Sequence, residues 1–347
     1  MALNTDAGSP IVTGREDQAN QTPLQFIETG DGGAVVTPAG FGLMLAEFVR
    51  QGSDLLLEAP DGQQVLLVGY FETESPPAIM TEDGSRLSSD LVLKLAGPIA
   101  PGQYAQDGDA ALGEPIGQVE STSGTITVRH ADGTEVTVNA GDAIFQGDEV
   151  LTSADGEVVL VFVDSSTLSM SGDSRMVLDE LIYDPATGEG ESAFSALTGV
   201  FAFVSGDIAA NNPGAATVDT PVATIGIRGT SIMFSLGEDG LKVSLQTDAD
   251  GTVGEVVLTN DLGVTVLQDV GQIAGVSSFT GQTVTVEATP ESLSAAGFSP
   301  AMVQNLLGAA QAAQQTYIQE QSQQEDDAGG EETEEGALDE EIEELEE

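Results

Sequence analysis

The amino-acid sequence predicts a mainly β protein, folded as a β-sandwich or a β-solenoid. From residue 117 onward apolar and polar residues alternate with a period of two, which is the pattern of strands with one buried face. Turns rich in Asp and Gly divide this region into short segments at a spacing of about 8–12 residues. Residues 158–163 are apolar at every position, which predicts a strand buried on both faces under a second layer.

Composition and turn residues divide the chain into segments. Apolar runs at residues 54–58 and 65–68 flank an Asp-Gly turn, which is the signature of a β-hairpin in a small N-terminal module. Pro98 and Pro101 mark a linker after that module. We predict a disordered arm, a small β module, a linker, a main β domain, a helix and a disordered acidic tail, at residues 1–35, 36–100, 101–114, 115–288, 289–324 and 325–347 respectively.

The main β domain begins with a second predicted hairpin. Ile126 and Val128 alternate with polar residues, an Asp-Gly pair turns the chain, and Val136 and Val138 continue the alternation. Apolar positions of the later strands complete the predicted core. Its members are Ile126, Val128, Val136, Val138, Val158, Leu160, Phe162, Leu168, Val200, Phe201, Ile225, Ile232 and Phe234.

The C-terminal residues have a different amino-acid composition. Residues 292–324 are rich in Ala, Gln, Leu and Met, which favours a helix. Thr289 is suited to cap this helix and Pro290 to occupy its first position. From Glu325 to the end the chain has no basic residue and many acidic ones, a composition typical of a solvated, disordered tail.

The charge of the chain limits its partners. It has 58 acidic residues against 8 basic ones, a net charge of −50, and this excludes nucleic acid as a partner. The same charge attracts divalent cations, basic peptides and cationic polysaccharide. We therefore predict a protein or a surface polysaccharide as the partner, and no cofactor apart from weakly bound calcium.

Two kinds of targeting segment are not expected from the sequence. No apolar run approaches the ~20 residues that a membrane-spanning helix needs, so we predict no transmembrane segment. Residues 1–30 contain no basic stretch followed by an apolar one, so we also predict no Sec-type leader.

The residue types argue against catalysis. The chain has no Cys and a single histidine, His130, which we predict to lie at the surface. Cysteine nucleophiles and thiolate metal sites are excluded, and imidazole chemistry has one side chain to use. Pairs of carboxylates occur by chance in so acidic a chain. We predict that the protein is not an enzyme and has no catalytic residues.

Two features are candidate binding sites. Arg228 is one of few basic residues, and it serves either as an internal counter-charge for nearby carboxylates or as a contact for an external anion or carboxylate. Asp248 and Asp250 stand at alternate positions, as in the first part of a calcium loop, but the later ligands of an EF-hand are absent. A simple turn and a weak calcium site are the two interpretations of this pair.

Four motifs in order carry a resemblance to a known family. They lie at residues 117–126, 141–152, 164–168 and 218–230, and together they resemble the FecR-type domain. The namesakes of that family are membrane-anchored regulators that relay a siderophore signal across the bacterial inner membrane. The resemblance implies a β domain of the bacterial envelope that acts without catalysis.

A second resemblance suggests a location. Residues 48–57, 61–65, 178–185 and 199–206 look like the N-terminal region of large alphaproteobacterial surface proteins with cadherin-like or RTX repeats. Those proteins leave the cell by type I secretion, so this likeness implies an extracellular or cell-surface location. A periplasmic or a cytoplasmic location is the alternative.

Three functions remain after these exclusions. The leading prediction is a secreted or cell-surface β module that acts as a scaffold or interaction domain. The second is a soluble FecR-like protein that senses or transmits an envelope signal by protein contact. The third, an enzyme, is disfavoured for the reasons above.

Overall fold

A computed structural model describes residues 24–29, 33–73, 75–98 and 112–343, with side chains up to residue 323. The protein is mainly β, as predicted. A small N-terminal module precedes a large two-sheet sandwich, and helices follow the sandwich at its C-terminal end. Residues 1–23 of the arm predicted at 1–35, and residues 101–111 of the linker predicted at 101–114, lie outside the described residues. Residues 25–28 of that arm form a strand, because they pair with the edge of a sheet in the N-terminal module.

The N-terminal module contains two small sheets. The first has the strand order β1-β5-β4-β3 and the second the order β2-β6-β7. The predicted hairpin is confirmed, because β4 and β5 pair antiparallel around a turn in which Gly62 has φ +87°. The elements are β1 (Gln25–Glu28), β2 (Val35–Val36), a 3-10 turn (Leu43–Leu45), β3 (Glu47–Gln51), β4 (Asp54–Glu58), β5 (Gln64–Val68), β6 (Ile79–Met80), β7 (Arg86–Leu87) and α1 (Ser89–Leu95).

The sandwich contains the remaining strands and the short helix α2 (Asp207–Asn211). These strands are β8 (Pro115–Ser123), β9 (Ile126–Arg129), β10 (Glu135–Thr137), β11 (Ala143–Phe145), β12 (Glu149–Thr152), β13 (Glu157–Phe162), β14 (Thr167–Met170), β15 (Arg175–Asp184), β16 (Glu189–Val204), β17 (Ala216–Asp219), β18 (Thr224–Arg228), β19 (Ser231–Gly237), β20 (Gly240–Leu245), β21 (Glu255–Asn260), β22 (Gly263–Leu267), β23 (Gln272–Val276) and β24 (Val284–Glu287).

These strands form two sheets that share one long strand. Sheet I has the order β11-β8-β13-β14-β16-β19-β20-β23-β24. Sheet II has the order β10-β9-β12-β15-β16-β17-β18-β21-β22. The first part of β16 belongs to sheet II and its last part to sheet I. After β16, successive hairpins alternate between the sheets, so the sandwich grows along the chain.

The space between the two sheets is filled by one apolar cluster. Within it the rings of Phe162 and Phe194 stack at 4.9 Å, and those of Phe201 and Phe234 at 4.7 Å. The predicted core residues are buried with two exceptions. Val136 is 36% exposed because β10 is the edge strand of sheet II. Val200 is half-buried on the outer face of sheet I, where it contacts the C-terminal helices.

The C-terminal helix differs from the prediction in two ways. Residues 289–324 form not one helix but two, α3 (Pro290–Ala295) and α4 (Pro300–Glu343). The break occurs at Gly297, whose φ of +82° is not helical, shortly before the proline that begins α4. The backbone of α4 also continues past residue 324, where we predicted a change to a disordered tail. The predicted roles of Thr289 as the cap and of Pro290 at the first position are confirmed.

Helix α4 packs on the outer face of sheet I. Ala310 and Ala313 are buried there, and small side chains allow the helix backbone to approach the sheet closely. The Thr167 hydroxyl donates to the Ala310 carbonyl at 3.0 Å. Among the helices that the structure describes, none combines the length and the apolar character needed to cross a bilayer.

Candidate interaction site

Arg228 lies at the end of β18, opposite Glu255 on β21. Its guanidinium donates to the Glu255 carboxylate, and the Gln268 amide donates to the other oxygen of that carboxylate at 2.5 Å. The hydrogen bond from Gln268, followed by the charge of Arg228, lowers the pKa of Glu255. The Arg228 side chain is still 42% exposed. The structure therefore gives Arg228 a carboxylate partner within the chain, and contact with an external anion stays a prediction.

Asp248 and Asp250 lie in the turn between β20 and β21. The Asp248 carboxylate accepts a hydrogen bond from the Ser231 hydroxyl at 2.5 Å, and burial raises its pKa. The Asp250 carboxylate accepts from the hydroxyl and the backbone N–H of Thr252 at 2.7 and 2.8 Å, and these bonds lower its pKa. In the described part of the chain no group of three or more metal-ligating side chains is gathered in one place. Weak calcium binding at this pair stays a prediction.

His130 is not the surface residue that we predicted. Its side chain is 10% exposed, and its Nδ1 lies 2.7 Å from the Oδ1 atom of Asp148, which is fully buried. The other Asp148 oxygen accepts the backbone N–H of Phe145 at 2.8 Å. His130 is mostly covered because the Gly147-Asp148 turn brings this carboxylate next to the end of β9. The only imidazole in the sequence is therefore held in a structural contact.

A groove of about 1170 Å³ opens where α4 crosses one end of the sandwich. Its walls come from the start of β8, the hairpin between β15 and β16, the beginning of α2 and one face of α4. Apolar and aromatic side chains supply much of its surface. These side chains include Ile116, Val163, Ile182, Tyr183, Tyr317 and Ile318.

A hydrogen bond between a tyrosine and a carboxylate holds one wall of the groove in place. The Tyr183 hydroxyl donates to an Asp207 carboxylate oxygen at 2.8 Å. Burial, followed by this hydrogen bond, raises the pKa of Tyr183 to about 12. The phenol therefore stays protonated at neutral pH and presents an apolar ring with a fixed polar end to the groove.

The turn at residues 164–168 reaches the groove through Ser165. Asp164 is buried, and its carboxylate accepts from the backbone N–H and the hydroxyl of Ser166 at 3.1 and 2.5 Å. Burial raises the pKa of Asp164, and the hydrogen bonds from Ser166 oppose this. Ser165 has φ +65°, the left-handed conformation that a serine seldom adopts. The hydrogen bonds between Asp164 and Ser166 therefore stabilise this turn.

Two further contacts hold this strained turn in place. The backbone of Gly206 packs against the turn so closely that a Cβ atom on residue 206 would lie 2.1 Å from the Asp164 carbonyl oxygen. The Gln314 amide of α4 donates to the carbonyls of Ser165 and Ser205 at 3.0 and 2.9 Å. The turn thus couples the sandwich directly to α4 at the edge of the groove. Sequence reasoning missed this site, because its residues are brought together from four distant parts of the chain.

The groove is acidic as well as apolar. Glu114 and Asp207 contribute carboxylates, and the lining residues that the structure describes include no Lys or Arg. The whole chain carries a charge of −50. A ligand or protein segment that enters this groove is therefore favoured if it is basic.

Comparisons with known proteins give one family match. The family model described as FecR protein matches residues 148–252, which run from the end of the first hairpins to the turn at Asp248. No curated protein matches the chain. The match confirms the FecR resemblance over part of the predicted 115–288 domain. The resemblance to alphaproteobacterial surface proteins is not confirmed.

Solved structures give further matches. A cell surface anchoring domain is 38% identical over 18% of this chain and 83% of its own, with a TM-score of 0.18. Two structures assigned as an anti-sigma factor from Parabacteroides distasonis ATCC 8503 are 13% and 14% identical, with TM-scores of 0.33 and 0.32. They match 42% of this chain and 62% and 63% of their own, so less than two thirds of those chains is covered. With TM-scores this low, no functional argument follows from these structures. The stretch that the FecR family model matches, residues 148–252, lies within a larger two-sheet sandwich.

Proposed function

We propose that this protein is a FecR-type regulatory module of the bacterial envelope, which acts by binding a basic segment of another protein rather than by catalysis. The observation that carries the proposal is the family match, because residues 148–252 include the turn at residues 164–168, Tyr183 and Asp207. The match favours a signalling role over the secreted scaffold that was our leading prediction. A scaffold role gains no support from it.

The groove has the composition of a protein contact site. Ile182 on β15 and Ile318 on α4 line the groove and are 58% and 48% exposed, and Tyr183 and Tyr317 line it as well. Aromatic and large apolar residues are the side chains that contribute most at protein interfaces. The carboxylates at the rim favour a partner segment that carries Lys or Arg.

The position of α4 provides a route for a signal. The FecR domain forms one wall of the groove and α4 forms another, and Gln314 joins the two at Ser165. A segment inserted between Ile182 and Ile318 would press on both walls. Binding in the groove is therefore coupled to the position of α4 on sheet I. A bound segment would in this way change the state of the C-terminal helix.

Site-specific photocrosslinking in the native organism tests this proposal. A photoreactive amino acid in place of Ile182 should give a discrete crosslink to one other protein, and the same amino acid in place of Ile318 should give the same product. Val253, which is 40% exposed and outside the groove, provides the matched control. Fractionation of the same cells should place the protein with the envelope. Crosslinks equal at all three positions, or recovery of the protein mainly from the culture medium, would contradict the proposal.

A further inference from the structure

Strand β22 is the last strand of sheet II. Within the described residues it pairs with β21 alone, so its other side offers a row of backbone N–H and C=O groups without strand partners. The pairing with β21 is regular over the whole strand and contains no bulge. An open edge of this kind can accept a further strand.

This edge lacks the protection that natural proteins give to exposed strands. Edge strands are commonly interrupted by Pro, by Lys or by a bulge, which prevents them from pairing with other chains. The residues of β22 are Gly-Val-Thr-Val-Leu, and none of them is charged. Val264 and Val266 point to the same face and are 63% and 45% exposed. Leu262, immediately before the strand, is 59% exposed.

Sheet I ends differently at this end of the sandwich. Its edge strand β24 also exposes two valines, Val284 and Val286, but it contains the charged residue Glu287, which works against pairing with another chain. The backbone then leads through the Thr289 cap into α3. At this end of the sandwich the edge strand without a charged residue is therefore the one on sheet II.

The charges around β22 indicate what kind of strand it accepts. Asp261 precedes the strand and Asp269 follows it, and both are exposed. A second copy of this chain would bring another charge of −50 against the same edge, which disfavours self-association. A strand with apolar residues at alternate positions and basic residues at its ends matches both the valines and the aspartates.

We propose that β22 binds an extended, basic-ended segment of a partner protein by β-augmentation, with the partner strand added to sheet II. Backbone hydrogen bonds supply the attachment in this mode, and the alternate side chains supply the specificity. Val264 and Val266 contact the apolar side chains of the added strand, and Asp261 and Asp269 contact its basic ends. This surface is separate from the groove, so either contact can exist without the other.

A synthetic peptide provides the probe. The peptide Lys-Lys-Val-Thr-Val-Thr-Val-Lys-Lys is titrated into the full chain, and amide hydrogen exchange is followed by mass spectrometry. In residues 263–267 the amides that face the open edge alternate with those bonded to β21. We expect exchange of the outward-facing amides to slow by about tenfold or more at saturation, because amides that enter a strand pairing are protected. The same peptide with N-methyl groups along one backbone edge should not bind, and a version with Glu in place of Lys should bind at least about tenfold more weakly.

Two matched variants locate the contact. The double variant Val264→Lys and Val266→Lys should weaken peptide binding by about tenfold or more, since it adds like charge and removes the apolar contact. The double variant Val49→Lys and Val68→Lys makes the same charge change on the N-terminal module, at two exposed valines outside both surfaces, and should bind the peptide as the unchanged protein does. Thermal unfolding confirms that both variants are folded.

Several outcomes would overturn the proposal. Equal protection of residues 263–267 in the Val264 and Val266 variant, or protection of other residues alone, would assign the contact to another surface. Slow exchange of the outward-facing amides of β22 in the protein alone would mean that its own chain already occupies the edge. Dimers in sedimentation that disappear in the same variant would identify a second copy as the occupant. Crosslinking at Ile182 is unaffected by any of these results, so the proposed function is tested independently.

Discussion

Glu149 and Arg175 form a buried ion pair between the neighbouring strands β12 and β15. The Nε atom of Arg175 lies 2.5 Å from Oε1 of Glu149, and both side chains are 5% exposed. The second carboxylate oxygen of Glu149 accepts from Arg129 at 2.8 Å. Arg175 also donates to the backbone carbonyl of Ala46 at 2.8 Å, which joins the N-terminal module to sheet II.

Replacing Glu149 with Gln should destabilise the protein strongly. The substitution leaves the Arg175 guanidinium buried without its counter-charge, and breaking a buried pair in this way costs about 3–5 kcal/mol. The free energy of unfolding in urea measures the effect. Glu255→Gln is the matched control, because it breaks the more exposed pair with Arg228 and should cost no more than about 1 kcal/mol. Equal losses in the two variants would mean that burial does not strengthen the Glu149 contact.

Phe162→Ala should cost about 3–5 kcal/mol of unfolding free energy. Phe162 is fully buried between the two sheets and stacks on Phe194, so the substitution leaves a cavity in the largest apolar cluster. Val136→Ala on the edge strand β10 is the control and should change stability by less than about 0.5 kcal/mol. If Phe162→Ala left thermal stability unchanged, the packing of β13 between two layers would be wrong.

Much of the strand pattern could be predicted because it depends on local alternation. Phe162 and Leu168 face the core, as their neighbours in sequence indicate. Alternation gives the face of a strand but not its place in the sheet, which is why Val136 was assigned to the core although β10 is an edge strand. The burial of His130 depends on a contact with Asp148 on a neighbouring turn, and no local pattern reports such a contact.

The groove could not be predicted for a related reason. Ile116, Ile182 and Tyr317 belong to elements that are far apart in sequence, and their proximity follows from the way α4 crosses the sandwich. The sequence did identify the turn at residues 164–168 as part of a family motif. It gave no sign that this turn is held by Gln314, because one glutamine among many in a helix carries no pattern.

Calcium should bind weakly and at many sites rather than at one tight site. Asp248 and Asp250 already accept hydrogen bonds from Ser231 and Thr252, and a cation would have to replace these contacts. We expect calorimetry to show no site of micromolar affinity, and millimolar calcium to raise the melting temperature through screening of the −50 charge. The double variant Asp248→Asn and Asp250→Asn should respond to calcium as the unchanged protein does. A single micromolar site that is lost in this variant would establish a specific calcium loop.

The buried carboxyl of Asp164 should make stability depend on pH. Burial raises its pKa in the folded protein above the usual 3.8, so between these two values the folded state binds more protons than the unfolded state does. Stability therefore rises as the pH falls through this interval, and it is lost as the pH rises through the pKa of the folded protein. Above the pKa of the folded protein, the protein bears the full cost of a buried charge.

Asp164→Asn should remove that dependence. The amide oxygen of Asn can accept the same hydrogen bonds from the Ser166 backbone and hydroxyl without carrying a charge. We expect the variant to be at least as stable as the unchanged protein at pH 7, and to have a flatter profile of unfolding free energy between pH 4 and pH 7. Asp250→Asn is the control of opposite sign, because Thr252 lowers the pKa of Asp250 and its contribution is lost as the pH falls through that lowered value. A variant at Asp164 that is less stable at pH 7 and keeps the original slope would show that the hydrogen bonds from Ser166 outweigh the cost of burial.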